Sequence, residues 1–212
     1  MKRWVLLVVG LYVVSVSVLV VPIVLFFYKD GIDIIPLLYT YIIPVLILIQ
    51  TVLLLIPFNI VTERPIKHRK VITSAIMGAF PMGFLVLMFI ISAVLMVWGE
   101  NTSAEYLYRW WLFIVPAVCW ISWAVIFYKN YSNDNPKAFT ATITRWLLRG
   151  SILELIVAIP SHIISRNRNE CCAPPITFFG IITGISIALM SFGPGLFFLY
   201  AKKVKDKKIT RG

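Results

Sequence analysis

Six long blocks of apolar residues set the terms for this chain, and five of them contain no charged residue. They run approximately over 4–27, 35–58, 71–98, 110–128, 147–164 and 176–200. Crossing a hydrocarbon core takes roughly 20 helical residues, and each block is about that long. Lipid offers the backbone no hydrogen bonds, so a spanning segment must satisfy its own donors and acceptors, as a helix does. The expectation is an all-α polytopic membrane protein, a single integral membrane domain over 1–212, with about six transmembrane helices in three hairpins. Composition agrees: 60% of the 212 residues are apolar and 14% charged, too little charge to cover a soluble domain. The first block follows Met-Lys-Arg but is too long for the core of a secretory signal, and no small-residue cleavage site follows it. It is read as a retained span.

The charges that remain are distributed unevenly. Alternating the connections between two sides leaves Lys29, Arg109, Arg166 and Arg168 on one side, out of 20 Lys and Arg in the chain. The other side holds the rest, including the basic tail 201–212. By the positive-inside rule both termini are expected in the cytoplasm. The net charge of +11 then belongs to anionic membrane lipid rather than to nucleic acid, because the basic residues flank spans on four separate segments. Asn101-Thr102-Ser103 is a glycosylation sequon on the outer side, meaningful where the source glycosylates there.

Two features point to helix packing. Prolines fall inside the blocks, and Gly193-Pro194-Gly195 sets three helix breakers in succession. Gly180, Gly184 and Ala188 recur every fourth residue, a ridge of small residues that lets another helix approach closely. Its partner is expected within the chain by default; a partner protein or a second copy, giving a homo-oligomer, is the sharper alternative.

Polar chemistry is concentrated in the last third. Glu154 is the only acidic residue within the blocks, and an intramembrane carboxyl is a candidate proton or cation site. Arg149, five residues earlier, is a possible ion-pair partner. Ser161 falls on nearly the same helical face, seven residues on, and His162 lies further round. Outside the membrane, the connection "SRNRNECCAPP" carries adjacent Cys171 and Cys172. Thiolates suit a soft metal such as copper or zinc, and His162 is the candidate third ligand. Arg166 and Arg168 put positive charge beside the thiols, the setting of reactive cysteines, and are candidate contacts for an anion or a lipid headgroup. Cys119, inside an apolar block, reads as a packing residue.

Three functions fit these residues. One is a binding or transfer protein with an outer-face site of Cys171, Cys172 and His162 for a soft metal or thiol exchange. Another is a non-catalytic membrane subunit that docks a partner through the Gly180/Gly184 ridge and the outer loop. The third is a small transporter working through Glu154. Haem-attachment, phosphate-loop, zincin and nucleophile-elbow motifs are absent from the sequence, so no cofactor is assigned and an enzyme is not the expectation.

Overall fold

The computed structural model describes residues 2–27, 40–41, 43–61, 66, 68–107, 111–131 and 136–209. Among these the chain is helical, without strands. The helices are α1 (Lys2–Phe27), α2 (Ile43–Leu53), α3 (Leu55–Val61), α4 (His68–Leu107), α5 (Trp111–Lys129), α6 (Pro136–Asn167), α7 (Ala173–Ser191) and α8 (Gly193–Ile209). Most of the start of the second expected span, Lys29, Arg64, Lys67 and Arg109, the sequon's side chains and the last three residues lie outside the described residues. Among the described residues, five stretches are long and apolar enough to cross a membrane: Val5–Leu25, Ile43–Ile60, His68–Gly99, Lys137–Asn167 and Ala173–Lys203. In α5 the described apolar part, Ile114–Lys129, is shorter. The chain is an all-α polytopic membrane protein.

Apolar residues on every side do not tell a helix how to rotate; packing does. In α1, Val8, Tyr12, Val16, Val20 and Val24 are buried, one row at four-residue spacing, while Leu6, Val14, Val18 and Leu25 are exposed. One ridge against neighbours and the remainder towards lipid is the signature of a peripheral span. Helix α7 is the opposite case. It touches α1, α2, α4, α6 and α8, and its pairing with α6 is the most extensive among the described residues.

Several boundaries differ from the hydropathy blocks, each for a local reason. The second block divides at Leu54. Pro57 has no N–H to return to the Leu53 carbonyl, although Leu54 and Phe58 still donate to Gln50 O and Leu54 O at 3.0 Å. Ser74 Oγ, on α4, donates to Val52 O at 3.3 Å beside the break. The last block divides at Phe192, just before Gly193-Pro194-Gly195, and Phe192 N closes the end of α7 on Leu189 O at 3.2 Å. Helix α4 runs on past the third block through a kink at Gly99, whose φ of 70° lies in the region that favours glycine.

The largest revision concerns the fifth block, expected over 147–164. The helix begins at Pro136. Its early turns carry Lys137 and Arg145, which hide the span from a hydropathy count, but Phe139, Ile143 and Leu147 are buried at four-residue spacing. That row continues the helix's inner face towards the cytoplasmic side assigned from charge.

Candidate functional site: a buried carboxyl between two helices

On α6 the buried face reads Leu147, Ser151, Glu154, Ala158, Ser161, Ser165, and on α7 it reads Ala173, Thr177, Gly180, Gly184, Ile187, Ser191. Both alternate steps of four and three, the period that keeps two helices in contact along a shallow left-handed crossing. The residues at this seam are mostly small or polar, so the backbones come close. Most hydroxyls are satisfied locally. Ser151 Oγ donates to Leu147 O at 2.9 Å, Thr177 Oγ1 to Ala173 O at 3.0 Å, and Ser191 Oγ to Ala188 O at 2.7 Å. Ser161 instead reaches across to α4, donating to Ser92 O at 2.7 Å.

Glu154 is the exception. It is 1% exposed, and neither carboxyl oxygen has a hydrogen-bond partner among the described residues. Its carboxyl is aimed into the Gly180/Gly184 ridge. A Cβ added at Gly184 would overlap Oε2, and one at Gly180 would come within 2.9 Å of Oε1 and 3.7 Å of Ser92 Oγ. The two features that stood apart in the sequence are therefore one site, with the glycines making room for the acid. Gly180 and Gly184 are spent inside the chain, while Ala188 is only partly buried.

Two expectations about Glu154 change. Its proposed partner Arg149 lies elsewhere, with its guanidinium carbon 5.6 Å from the centre of the Trp146 ring. Its place along the helix also differs from the block 147–164, in which it stands seven residues, about two turns, from the start, because α6 begins at Pro136. The carboxyl is 18 residues from that end and 13 from Asn167, about 27 and 20 Å at helical rise, near the middle of the helix.

Nearer the C-terminal end of α6, His162 is tied to the start of α7. Its Nδ1 lies 3.1 Å from Pro174 O and 3.1 Å from Thr177 Oγ1, and its ring packs against Phe178 at 5.5 Å between centroids. A carbonyl only accepts, so the bond to Pro174 puts the proton on Nδ1. Nε2 is left buried and without a hydrogen-bond partner among the described residues, as is Ser165 Oγ.

The outer loop is arranged separately. Cys171 and Cys172 are exposed and neither is in a disulfide. Among the described residues no three His, Cys, Asp or Glu side chains lie together as a metal site, so the structure does not assemble His162 with the two cysteines. Arg168 pairs with Glu170 at 3.7 Å, and both lie against Gly99 at the α4 kink, where a Cβ would meet Glu170 Oε1 at 2.8 Å and Arg168 Nη1 at 3.3 Å. Arg166 is exposed on the last turn of α6.

One residue escaped the sequence reading. Gln50, the chain's single glutamine, is 0% exposed in α2, and neither amide heavy atom has a hydrogen-bond partner among the described residues. Its amide sits against Gly193, where a Cβ would overlap Nε2. Being uncharged, it left the block's apolar appearance intact; its being the lone amide within the six expected blocks was the available signal.

Fold and site together define the class: a polytopic helical membrane protein with a carboxyl sealed in its central helix pair. No family model, curated protein or solved structure matches the chain.

Proposed function

We propose that this protein is a small proton-linked membrane transporter in which Glu154 is the proton-binding group. The observation that carries the reading is the fitted burial of that carboxyl, mid-helix and against two glycines, without a hydrogen-bond partner among the described residues. An ionised carboxylate without compensation is among the most expensive groups to hold in a low-dielectric interior. Two conditions relieve that cost, a bound proton or a bound cation. A metal cation wants several oxygen ligands, whereas among the described residues neither oxygen of Glu154 has a hydrogen-bond partner and no three His, Cys, Asp or Glu side chains lie together. The surroundings therefore favour the proton.

Loss and gain of that proton changes the charge at the most extensive helix pairing among the described residues. The ionised form demands hydration that the closed seam does not offer, and the neutral form is compatible with it. Protonation thus favours a closed α6–α7 seam and deprotonation a loosened one, which is the two-state element a coupled transporter requires. Ser165, His162 and Ser161 line the same helix between Glu154 and the outer loop, supplying polar groups on that approach.

The test is proton movement in sealed proteoliposomes containing a pH-sensitive dye. Wild-type protein is expected to dissipate an imposed pH gradient, and Glu154→Gln to reduce that rate at least tenfold while inserting normally. Equal rates for the two proteins would remove Glu154 from the mechanism. An infrared band of a protonated carboxyl, present in wild type and missing in Glu154→Gln, identifies the group independently of flux.

A second reading is supported by the loop, where two adjacent cysteines are exposed outside any disulfide. They would bind a soft metal, copper or zinc, or exchange thiols, drawing any further ligands from outside this cluster. Elemental analysis of wild type against Cys171→Ser/Cys172→Ser decides it: a stoichiometric metal lost in the double variant supports the reading, and equal content in both removes the metal.

A further inference from the structure

Helix α5 packs almost entirely on α4 among the described residues, and the two backbones come close at a glycine. A Cβ added at Gly83 would meet Pro116 O at 3.0 Å and Trp120 Cβ at 3.1 Å. From there towards Lys129 the pair is tied at two levels. Trp120 Nε1 donates to Ile76 O at 2.9 Å, and the Tyr128 hydroxyl meets His68 Nε2 at 2.7 Å. The two ties are eight residues apart on either helix, about 12 Å. Between them lies a groove of about 550 Å³, with Ile72, Ala75, Ile76, Ile121, Ala124 and Val125 among its lining residues. Ala75 is buried at its floor, whereas Ile72, Ile76, Ile121 and Val125 are exposed.

An apolar groove on the outside of a membrane helix pair is filled by hydrocarbon. What makes this one selective is its end. On α4 the exposed row Phe80, Ile76, Ile72 continues, three residues further, to Arg69. On α5 the exposed row Val118, Ile121, Val125 continues, four residues further, to Lys129. Both cations are exposed, so each wall of the groove ends in a positive charge at the level of the Tyr128–His68 tie. Lys70 is used differently, its Nζ donating to Asn59 Oδ1 at 3.3 Å. Long basic side chains lay their stems on apolar surface and hold their charge at the headgroup level. A guanidinium meets two phosphate oxygens at once, and an ammonium adds a second point charge.

We propose that the α4–α5 groove is a binding site for an anionic glycerophospholipid of the leaflet on the basic side, with one acyl chain between the two ties and the phosphate between Arg69 and Lys129. The site is independent of the reading of Glu154. Its two parts select differently. The apolar walls accept an acyl chain of any phospholipid, while the paired cations favour a headgroup of net negative charge. A zwitterionic headgroup carries its own ammonium to the same place. Because the ties fix both ends of the groove, it is formed before the lipid arrives, which lowers the cost of binding.

The test is photolabelling of wild-type protein in proteoliposomes. Phosphatidylglycerol and phosphatidylcholine probes share the same chains, each with a diazirine midway along one chain, and adducts are mapped by peptide mass spectrometry. Exposed Val14 and Val18 on α1 report contact with bulk lipid. The phosphatidylglycerol probe is expected to mark Ile121 and Val125 at least fivefold above that reference, and the phosphatidylcholine probe to show no such preference. Uniform labelling of both faces, or equal enrichment by both probes, overturns the site. Arg69→Ala/Lys129→Ala should remove the phosphatidylglycerol preference; its persistence overturns the role of the cations. Ala124→Phe, which fills the groove, should remove it with both cations in place. Displacement of the probe by excess glycerol phosphate would reduce the site to a phosphate contact and overturn the groove. A spontaneous disulfide between two copies of Ile121→Cys, with Cys119, Cys171 and Cys172 replaced by serine, would assign the groove to a second copy of the chain and overturn the lipid.

Discussion

At the scale of single residues, the molecule is governed by glycines that receive polar side chains. Gly184 leaves space that the Glu154 carboxyl occupies, and Gly193 leaves space for the Gln50 amide. A methyl group at position 184 must displace the acid or part the helices. Gly184→Ala is therefore expected to destabilise the protein by about 1–3 kcal/mol, the usual cost of overpacking, read as a lowered thermal midpoint in detergent. The double variant Gly184→Ala/Glu154→Ala should recover more than half of that loss, because the atoms in conflict are gone. Additive effects would mean that the two sites do not share the contact. The acid was visible in the sequence, and so was the glycine ridge. That they are partners was not, since both were separately compatible with other neighbours.

Helical elements show where hydropathy is a poor guide. Helix α6 extends eleven residues before its expected start because its early turns are amphipathic: Lys137 and Arg145 face outward while Phe139, Ile143 and Leu147 face in. A block search discards such turns for their charge, but the four-residue apolar spacing was legible there. Phe139 is 1% exposed and packs edge-on against Tyr131 at 5.5 Å. Phe139→Ala is expected to cost about 3–5 kcal/mol, as for other large-to-small core changes, measured by chemical unfolding in mild detergent. A surface turn outside the fold would lose almost nothing. At the other end of the bundle, Gly99 holds a positive φ against the Arg168–Glu170 pair. Gly99→Ala should lower stability through backbone strain and contact together, by about 1–2 kcal/mol, and the same thermal assay reads it.

Over the whole molecule, the sidedness inferred from charge puts the cysteine loop outside and both termini inside. An impermeant maleimide applied to right-side-out vesicles is expected to modify Cys171 and Cys172 within minutes, while a cysteine placed in the tail at Lys203 reacts only after the membrane is opened. The reverse pattern would invert the topology. The exposure of both loop cysteines makes the assay practicable without mutating the outer face.

Amino-acid order alone dictates the solvent and the scale: long apolar blocks, helices by necessity of backbone hydrogen bonding, and a charge bias from which an orientation is expected. It also displayed the residues worth attention, Glu154 and the two cysteines above all. Which faces meet is a matter of packing in three dimensions. Where a helix is apolar on all sides, hydropathy is nearly the same at every rotation, so its pattern cannot say which side chains turn inward. Close packing supplies that choice, because a carboxyl fits only where a neighbouring backbone has no Cβ. The same steric rule brought Glu154 to Gly180 and Gly184 and Gln50 to Gly193, while hydrogen bonds from Nδ1 tie His162 to Pro174 and Thr177 at the start of α7.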